Sequence, residues 1–390
     1  MKEWEADLAA LLARIDPIFA AAPARGHARS YMRGLLSPLA RKNGWTIAEY
    51  VGESEPKGLQ RFLNIGRWDT EKLLEFNRDY AMQHFGCPDA ILVADPTGFA
   101  KKGKMSVGVQ RQYSGTLGRV DNCQIATFLS YVTPGRDRVL IDRRLYMPND
   151  SWIADPQRCT QAGCPPELTF KTRPQQVREM IEAAFEAEVP FAWFTADEEF
   201  GRNPGLCEYL EGKLVPYVMA VPKNTVFTAR GIGNKIEEAV SKLAPNEWVR
   251  RAWGIGSKGF RVYDWALLET DEPDIQFMTR RGIETGEIAY YRCHNPNGAA
   301  MTELVGVAGA RWPIEECFGS GKNEVGLDNY QVRTWIAWHR HITFAMLAHT
   351  FLAVTACREK TKKGNPDPNP KQTDKTAQPT PSIRPRSIDA

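Results

Sequence analysis

The sequence predicts an α/β protein with a mixed sheet, a helical stretch ahead of it and a β-rich insertion behind. Three observations lead there. Short apolar runs bounded by turn residues recur from residue 90 to 221 in the order β-β-β-α-β-α-β, which is not the alternation of a doubly wound fold. Residues 1–88 instead repeat apolar positions at helical spacing. Residues 223–296 return to strand-like pieces crowded with aromatic and basic side chains.

Composition sets the outer bounds. The chain has 390 residues, 43% hydrophobic and 25% charged, enough for a sizeable core in two or three domains. A net charge of +3 neither demands nor forbids nucleic acid, so the clustering of Lys and Arg matters more than their sum. The cysteines (Cys87, Cys123, Cys159, Cys164, Cys207, Cys293, Cys317 and Cys357) form no Cys-x-x-Cys pair, and no histidine spacing suggests zinc. Reduced thiols in a cytoplasmic protein are expected. Glu3, Glu5, Asp7, Arg14 and Asp16 interrupt any apolar leader, so no signal peptide is expected either. The longest apolar run, 342–357, contains His349 and is shorter than the roughly 20 residues of a membrane span. It reads as a buried core helix.

In chain order, Leu8, Leu11, Leu12 and Ile15 mark a first helix, and Pro17 and Pro23 break the pattern. Residues 45–50, 58–65 and 69–84 continue it, the last with Asp69 as its cap. Arg25, Arg29, Arg33, Arg41, Lys42, Arg61 and Arg67 make this stretch basic, either a solvated face or a DNA-contacting surface. Residues 90–95 form an apolar strand that delivers Asp95 to its end, just before Pro96, Thr97 and Gly98. Strands over 122–132 and 139–147, joined by the Pro134-Gly135 turn, complete an antiparallel meander. A helix over 174–187 leads to a strand over 191–197 that again ends in an aspartate, Asp197, with Gly201 following. A short helix over 206–214 and a strand over 216–221 close this part.

In the insertion a helix over 235–243 precedes strands at 248–253, 259–268, 275–279 and 287–293. A helix around Leu304, another from about Trp312 and a last one over 334–356 follow. The tail from Glu359 is rich in Lys, Pro and Thr, nearly free of apolar residues, and expected to be disordered. The resulting division is 1–88, 89–222, 223–296, 297–358 and 359–390.

Residues 311–322 (RWPIEECFGSGK) put charges where a core seam would run. Arg311, Glu315, Phe318 and Lys322 follow at steps of four, three and four, on one helical stripe. Pro313 suggests that the helix starts there, leaving Arg311 just before it. Alone, an Arg311/Glu315 pair on a solvated face would account for them. Asp95 and Asp197 change the balance, because adjacent parallel strands would set them side by side at the carboxyl edge of the sheet, with Glu315 within reach. Three clustered carboxylates cannot stay ionised together without cations, so the arrangement implies divalent metal: two Mg²⁺, with Mn²⁺ as a substitute. Two such ions about 4 Å apart activate a water or a 3′-hydroxyl and stabilise the leaving oxygen of a phosphodiester displacement.

These residues resemble the DDE transposases of bacterial insertion sequences, whose catalytic core is ribonuclease-H-like. The resemblance covers about residues 30–357. Residues 95–103, 106–115 and 122–124 are similar to the block around the family's first aspartate, and Thr195-Ala196-Asp197 with Gly201 is similar to the second. Arg311, Glu315 and Lys322 match the Arg-x3-Glu-x6-Lys part of the third, which residues 326–333 and 338–341 extend. The wider signature has a tyrosine three residues before the arginine. Here that place is Ala308, so a contact made by the tyrosine must come from elsewhere or be absent.

The resemblance implies a cut-and-paste transposase with Asp95, Asp197 and Glu315 as metal-binding catalytic residues and Arg311 and Lys322 as phosphate contacts. It implies double-stranded DNA as the partner, both transposon inverted repeats and target, a homodimer in the DNA complex, and no membrane. In relatives with this type of insertion an aromatic side chain stacks on a flipped base. Trp253 and Trp265 are the candidates here, weighed against core packing. Lys101, Lys102, Lys104 and Arg111 follow the first aspartate and read as DNA-backbone contacts or as a solvated loop. His339 and His341 point apart on a helix, which favours structural hydrogen bonds or DNA contact over metal. Asp142, next to Arg143 within a strand, is the rival acid, with a cross-strand ion pair as its plain reading. The alternative function is a catalytically inactive, transposase-derived DNA-binding protein or regulator. A metal nuclease without strand transfer is a third.

Overall fold

The structure is a computed structural model that describes residues 2–256, 259–362 and 364, with backbone alone for residues 2, 253–256, 259 and 260. The expected disordered tail falls, from residue 365 onward, outside the described residues.

Helices come first. α1 (Lys2–Ile15) buries Leu8, Leu11, Leu12 and Ile15, and α2 (Ala22–Leu35) carries Pro23 in its first turn, where a fixed φ starts a helix rather than breaking one. α3 (Gly44–Tyr50) is closed by an Asn43/Thr46 capping box, α4 (Lys57–Asn64) follows, and Asp69 caps α5 (Thr70–Phe85) through the Glu71 and Lys72 amides. These helices are not a separate basic module: their apolar faces belong to the same core cluster as the sheet and the last helix. Several of their bases are structural. Arg25 donates to Phe19 and Ala20 carbonyls, Arg29 pairs with Asp16, and buried Lys42 donates to Leu35 and Glu324 carbonyls. Arg33, Arg41, Arg61 and Arg67 are exposed.

The sheet begins with β1 (Ile91–Ala100), β2 (Gln110–Ser114), β3 (Arg119–Val132) and β4 (Arg138–Leu145). After α6 (Pro156–Gln161) and α7 (Arg173–Glu186) come β5 (Trp193–Ala196), α8 (Glu198–Gly201), α9 (Pro204–Gly212) and β6 (Tyr217–Val221). β1 pairs antiparallel with β3 and parallel with β5, and β5 runs parallel with β6. This is the mixed sheet expected, with its antiparallel part first. One detail differs: β1 does not stop at Asp95 but continues along β3 through Pro96 to Ala100. The Ala90 carbonyl accepts from Ala192 and Trp193, so by the twofold alternation Pro96 also faces the β5 side. There β5 has already ended at Ala196, and the missing N–H leaves no ladder bond unmade.

The insertion supplies the hairpin β7 (Val226–Ala229) and β8 (Ile232–Lys235), not anticipated, then α10 (Ile236–Ser241) and β9 (Val249–Gly256), β10 (Gly259–Glu269), β11 (Ile275–Gly282) and β12 (Ile288–His294). β12 pairs antiparallel with β6, so these strands lengthen the core sheet to ten strands among the described residues instead of forming a sheet of their own. α11 (Met301–Gly309), α12 (Trp312–Val325) and α13 (Trp335–Lys362) complete the chain. α13 runs to Lys362, past the expected end near 356, because Arg358 pairs with Asp7 at 3.1 Å and Lys362 with Glu3 at 2.6 Å, holding the last turns against α1.

α13 is the buried core helix its apolar run foretold. Arg340 reaches from it to the Phe62, Leu63, Gly66 and Trp68 carbonyls at the end of α4, and His341 joins the Tyr31 hydroxyl (2.7 Å) to the Gly326 carbonyl (3.1 Å). His339 Nδ1 faces the Trp335 carbonyl. Burial pushes both histidines down to about 3, so they are neutral structural groups, as their spacing suggested.

Candidate active site

The register of two strands creates the site. Ala94 on β1 is paired with Ala196 on β5, so the next residue of each, Asp95 and Asp197, leaves the parallel ladder at the same level. Asp95 shares its face of β1 with Thr97, two residues on. Asp197 is also the N-cap of α8, its Oδ1 accepting from the Glu199 amide at 2.9 Å. Gly201 lets α8 lie directly on β6, since a Cβ there would collide with the Ala220 carbonyl.

α12 brings the remaining charges. Arg311 has helical backbone angles (φ −65°, ψ −37°), so Pro313 does not detach it from the stripe. Its Nη1 lies 4.0 Å from Asp95 Oδ2 and 3.8 Å from Glu315 Oε1. Lys322 Nζ donates to Thr97 Oγ1 (2.9 Å) and the Gly98 carbonyl (3.2 Å), and burial lowers the pKa of its ammonium. Asp95, Asp197, Arg311, Glu315, Phe318 and Lys322 line one cleft of about 530 Å³, together with Arg173, Ser114 and Thr116.

The three acids share this cleft, yet they do not form the ready cluster the sequence led us to expect. Among the described residues no group of three His, Cys, Asp or Glu side chains is close enough to hold an ion. The physical reason is visible. Arg311 stands between Asp95 and Glu315, and Asp197 is engaged in capping α8. Glu315 keeps about half of its side chain in solvent while Asp95 keeps 13%. Burial first, then the Asp197 and Glu315 charges, push the Asp95 carboxyl up to about 8 against the pull of Arg311. An acid held that far from its ordinary value, beside two others in a cleft, is a mark of a functional site. Carboxylate oxygens, which all three of these side chains carry, are the donor type that fits a hard cation such as Mg²⁺.

Other expected residues sort differently. Lys101 is not a free phosphate-tracking side chain: its Nζ sits 3.4 Å above the Tyr330 ring, and burial pushes it down to about 7. Lys102, Lys104 and Arg111 are exposed. Trp265 is 1% exposed within a cluster containing Trp193, Val218 and Met278, so it is a core residue and not a stacking platform. Trp253 lies on β9, with its side chain outside the described residues. Asp142 is buried among Arg78, Arg143 and Arg144, at 3.7, 3.8 and 2.6 Å, remote in role from the cleft. Its partners come from its own strand and from α5, not from across the sheet. Ala308 is buried in α11. Sequence reasoning passed over Arg173 and Glu199, which are 2.7 Å apart; the only hint was a basic residue opening the helix that feeds the second aspartate strand.

Comparisons with known proteins point to a family. Residues 14–235, more than half of the chain, match the family described as DDE superfamily endonuclease, and residues 172–351 match the transposase DDE domain. A probable transposase for insertion sequence element IS701 from Microchaete diplosiphon is 29% identical over 192 residues, 49% of this chain and 47% of that protein. The match thus spans about half the length of that relative. Among solved structures, a piggyBac transposase synaptic complex with hairpin DNA aligns with 87% of this chain and 66% of its own, at 10% identity and a TM-score of 0.47.

Proposed function

From the premise that this chain belongs to the DDE superfamily of endonucleases and transposases, we propose that it cuts DNA at the ends of a mobile element and joins the freed 3′ ends to target DNA. The observation that carries this reading is the Ala94/Ala196 register, which sets Asp95 beside Asp197 in a cleft that also receives Glu315. Asp95, Asp197 and Glu315 would hold divalent metal, two Mg²⁺ with Mn²⁺ as a substitute. Bound there, the metal would supply an activated water or 3′-hydroxyl and charge stabilisation of the leaving oxygen.

The chain's own groups set the terms. Holding metal would require Asp95 to release to solvent the proton that burial makes it keep, and would free Arg311, which now stands between Asp95 and Glu315, to turn its donors to a phosphate beside the scissile bond. Lys322, fixed by Thr97 and Gly98, offers its ammonium to a neighbouring phosphate. Exposed Lys102, Lys104 and Arg111 are free to add phosphate contacts with duplex DNA. A homodimer would let two element ends be processed in one complex. No described helix is long and apolar enough to cross a membrane.

The test is excision from a donor plasmid carrying the element's ends, with Mg²⁺ and target DNA. Cleaved donor and joined product are expected from the wild type, and neither from Asp95→Ala, Asp197→Ala or Glu315→Ala, each of which should still bind DNA. Cleavage without joined product would reduce the proposal to a nuclease.

A further inference from the structure

The three basic side chains that line the cleft are not in the same state. Arg311 is engaged by Asp95 and Glu315, and Lys322 by Thr97 and Gly98. Arg173 is different. It occupies the first turn of α7, which Thr172 and Gln175 fix with a capping box, so its backbone is held. Its Nε is 2.7 Å from Glu199 Oε1, and its guanidinium carbon is 5.8 Å from the Tyr146 ring centre. Its two terminal nitrogens have no hydrogen-bond partner among the described residues. The side chain is 30% exposed, and it faces the same cleft as the acids.

A guanidinium anchored through Nε presents its Nη pair as a pre-oriented fork, the geometry that matches two oxygens of one phosphate. Glu199 is the anchor, and it is fixed in turn, since its amide donates to Asp197 Oδ1. The chain Asp197–Glu199–Arg173 therefore ties the position of the fork to the position of a catalytic-site acid. Lys322 serves the Thr97 side of the cleft; nothing else basic lines the Asp197 side among the described residues.

We propose that Arg173 is a DNA-phosphate contact on the Asp197 side of the cleft, positioned by Glu199, so that a bound strand is gripped at both flanks of the acids. This deepens the function proposed above and rests on it, since it supposes that DNA enters this cleft. A merely structural role, in which the Arg173–Glu199 pair only fastens α8 to α7, makes a different prediction, because both partners would then matter equally.

The experiment is a salt titration of binding to a random-sequence DNA duplex by the full chain, for wild type, Arg173→Gln, Arg173→Lys, Glu199→Gln and Lys322→Ala. Removing one phosphate contact lowers the slope of log affinity against log salt by about one. The proposal expects that loss for R173Q, a wild-type slope with several-fold weaker binding for R173K, and a wild-type slope for E199Q, whose amide oxygen can still accept from Arg173 Nε. It is overturned if R173Q keeps the wild-type slope while K322A loses its contact, or if E199Q loses as much slope as R173Q. Should R173Q fail to fold, the comparison of R173K with E199Q decides: equal affinities overturn the proposal. If neither R173Q nor K322A alters the slope, DNA does not enter the cleft, and the function proposed above falls with this contact.

Discussion

Arg311 Nη1 lies 4.0 Å from Asp95 Oδ2, and the same guanidinium nitrogen lies 3.8 Å from Glu315 Oε1. One fixed cation thus stands between two of the three acids. It is not enough to keep Asp95 ionised near neutrality, because burial and Asp197 outweigh it. The charge balance of the cleft therefore turns on the protonation of Asp95, and that has measurable consequences.

Asp95 should make the metal-free protein lose stability as pH rises. An unfolded aspartate releases its proton near 3.8, whereas the folded one holds it to about 8. Between those values the folded state binds more protons, so its advantage shrinks with rising pH, by at most about 1.4 kcal/mol per pH unit. Asp95→Asn removes the effect. Metal-free melting temperatures of wild type and D95N should diverge from pH 5 to pH 8, with D95N the more stable, and Mg²⁺ at pH 8 should raise only the wild type. A pH-independent gap would contradict this.

Asp142 should matter for stability and not for cleavage. It is a buried acid among three arginines, and its removal strands Arg78 and Arg144 without their counter-charge. Asp142→Ala is expected to cost about 3–5 kcal/mol in urea unfolding. The folded fraction should still cleave DNA. Loss of cleavage in well-folded D142A would move this residue into the site.

Trp265→Ala should likewise act on stability, by about 3–5 kcal/mol for a large aromatic removed from a packed cluster. DNA affinity of the folded protein should stay within experimental scatter. A specific loss of binding to hairpin or flipped-base DNA, with stability intact, would restore the stacking role that its burial denies.

Gly201→Ala tests the placement of Asp197. The added methyl has no room against the Ala220 carbonyl, so α8 must shift, at about 1–3 kcal/mol. Because Asp197 caps α8, cleavage should fall by more than the stability loss explains. Gly205→Ala is the control. Its Cβ meets nothing closer than Asn203 Oδ1 at 3.7 Å, and it should be neutral or slightly stabilising.

Much of this was legible in the residues themselves. Apolar runs ending in Asp95 and Asp197 announced two strands with acids at a common edge, and the four-three-four spacing from Arg311 to Lys322 announced a helix facing them. What periodicity does not carry is partnership. It gave no sign that β12 would join β6, because a strand's edge partner is set by register and not by its own pattern. Nor could it separate Lys101 and Trp265 from their exposed neighbours, since both are of residue types that serve surface and core alike, and their burial depends on Tyr330 and on the α11 side of the sheet. Arg173 escaped notice because its meaning lies in Glu199, 26 positions away and adjacent only in the fold.

Whether the three acids work together is decided by donor-plasmid excision and joining in Mg²⁺ with Asp95→Ala, Asp197→Ala and Glu315→Ala, run beside duplex binding by the same three proteins. All three should bind DNA, and none should yield cleaved donor or joined product. Cleavage at wild-type level by any one of them would show that the acids of this cleft do not act as a set.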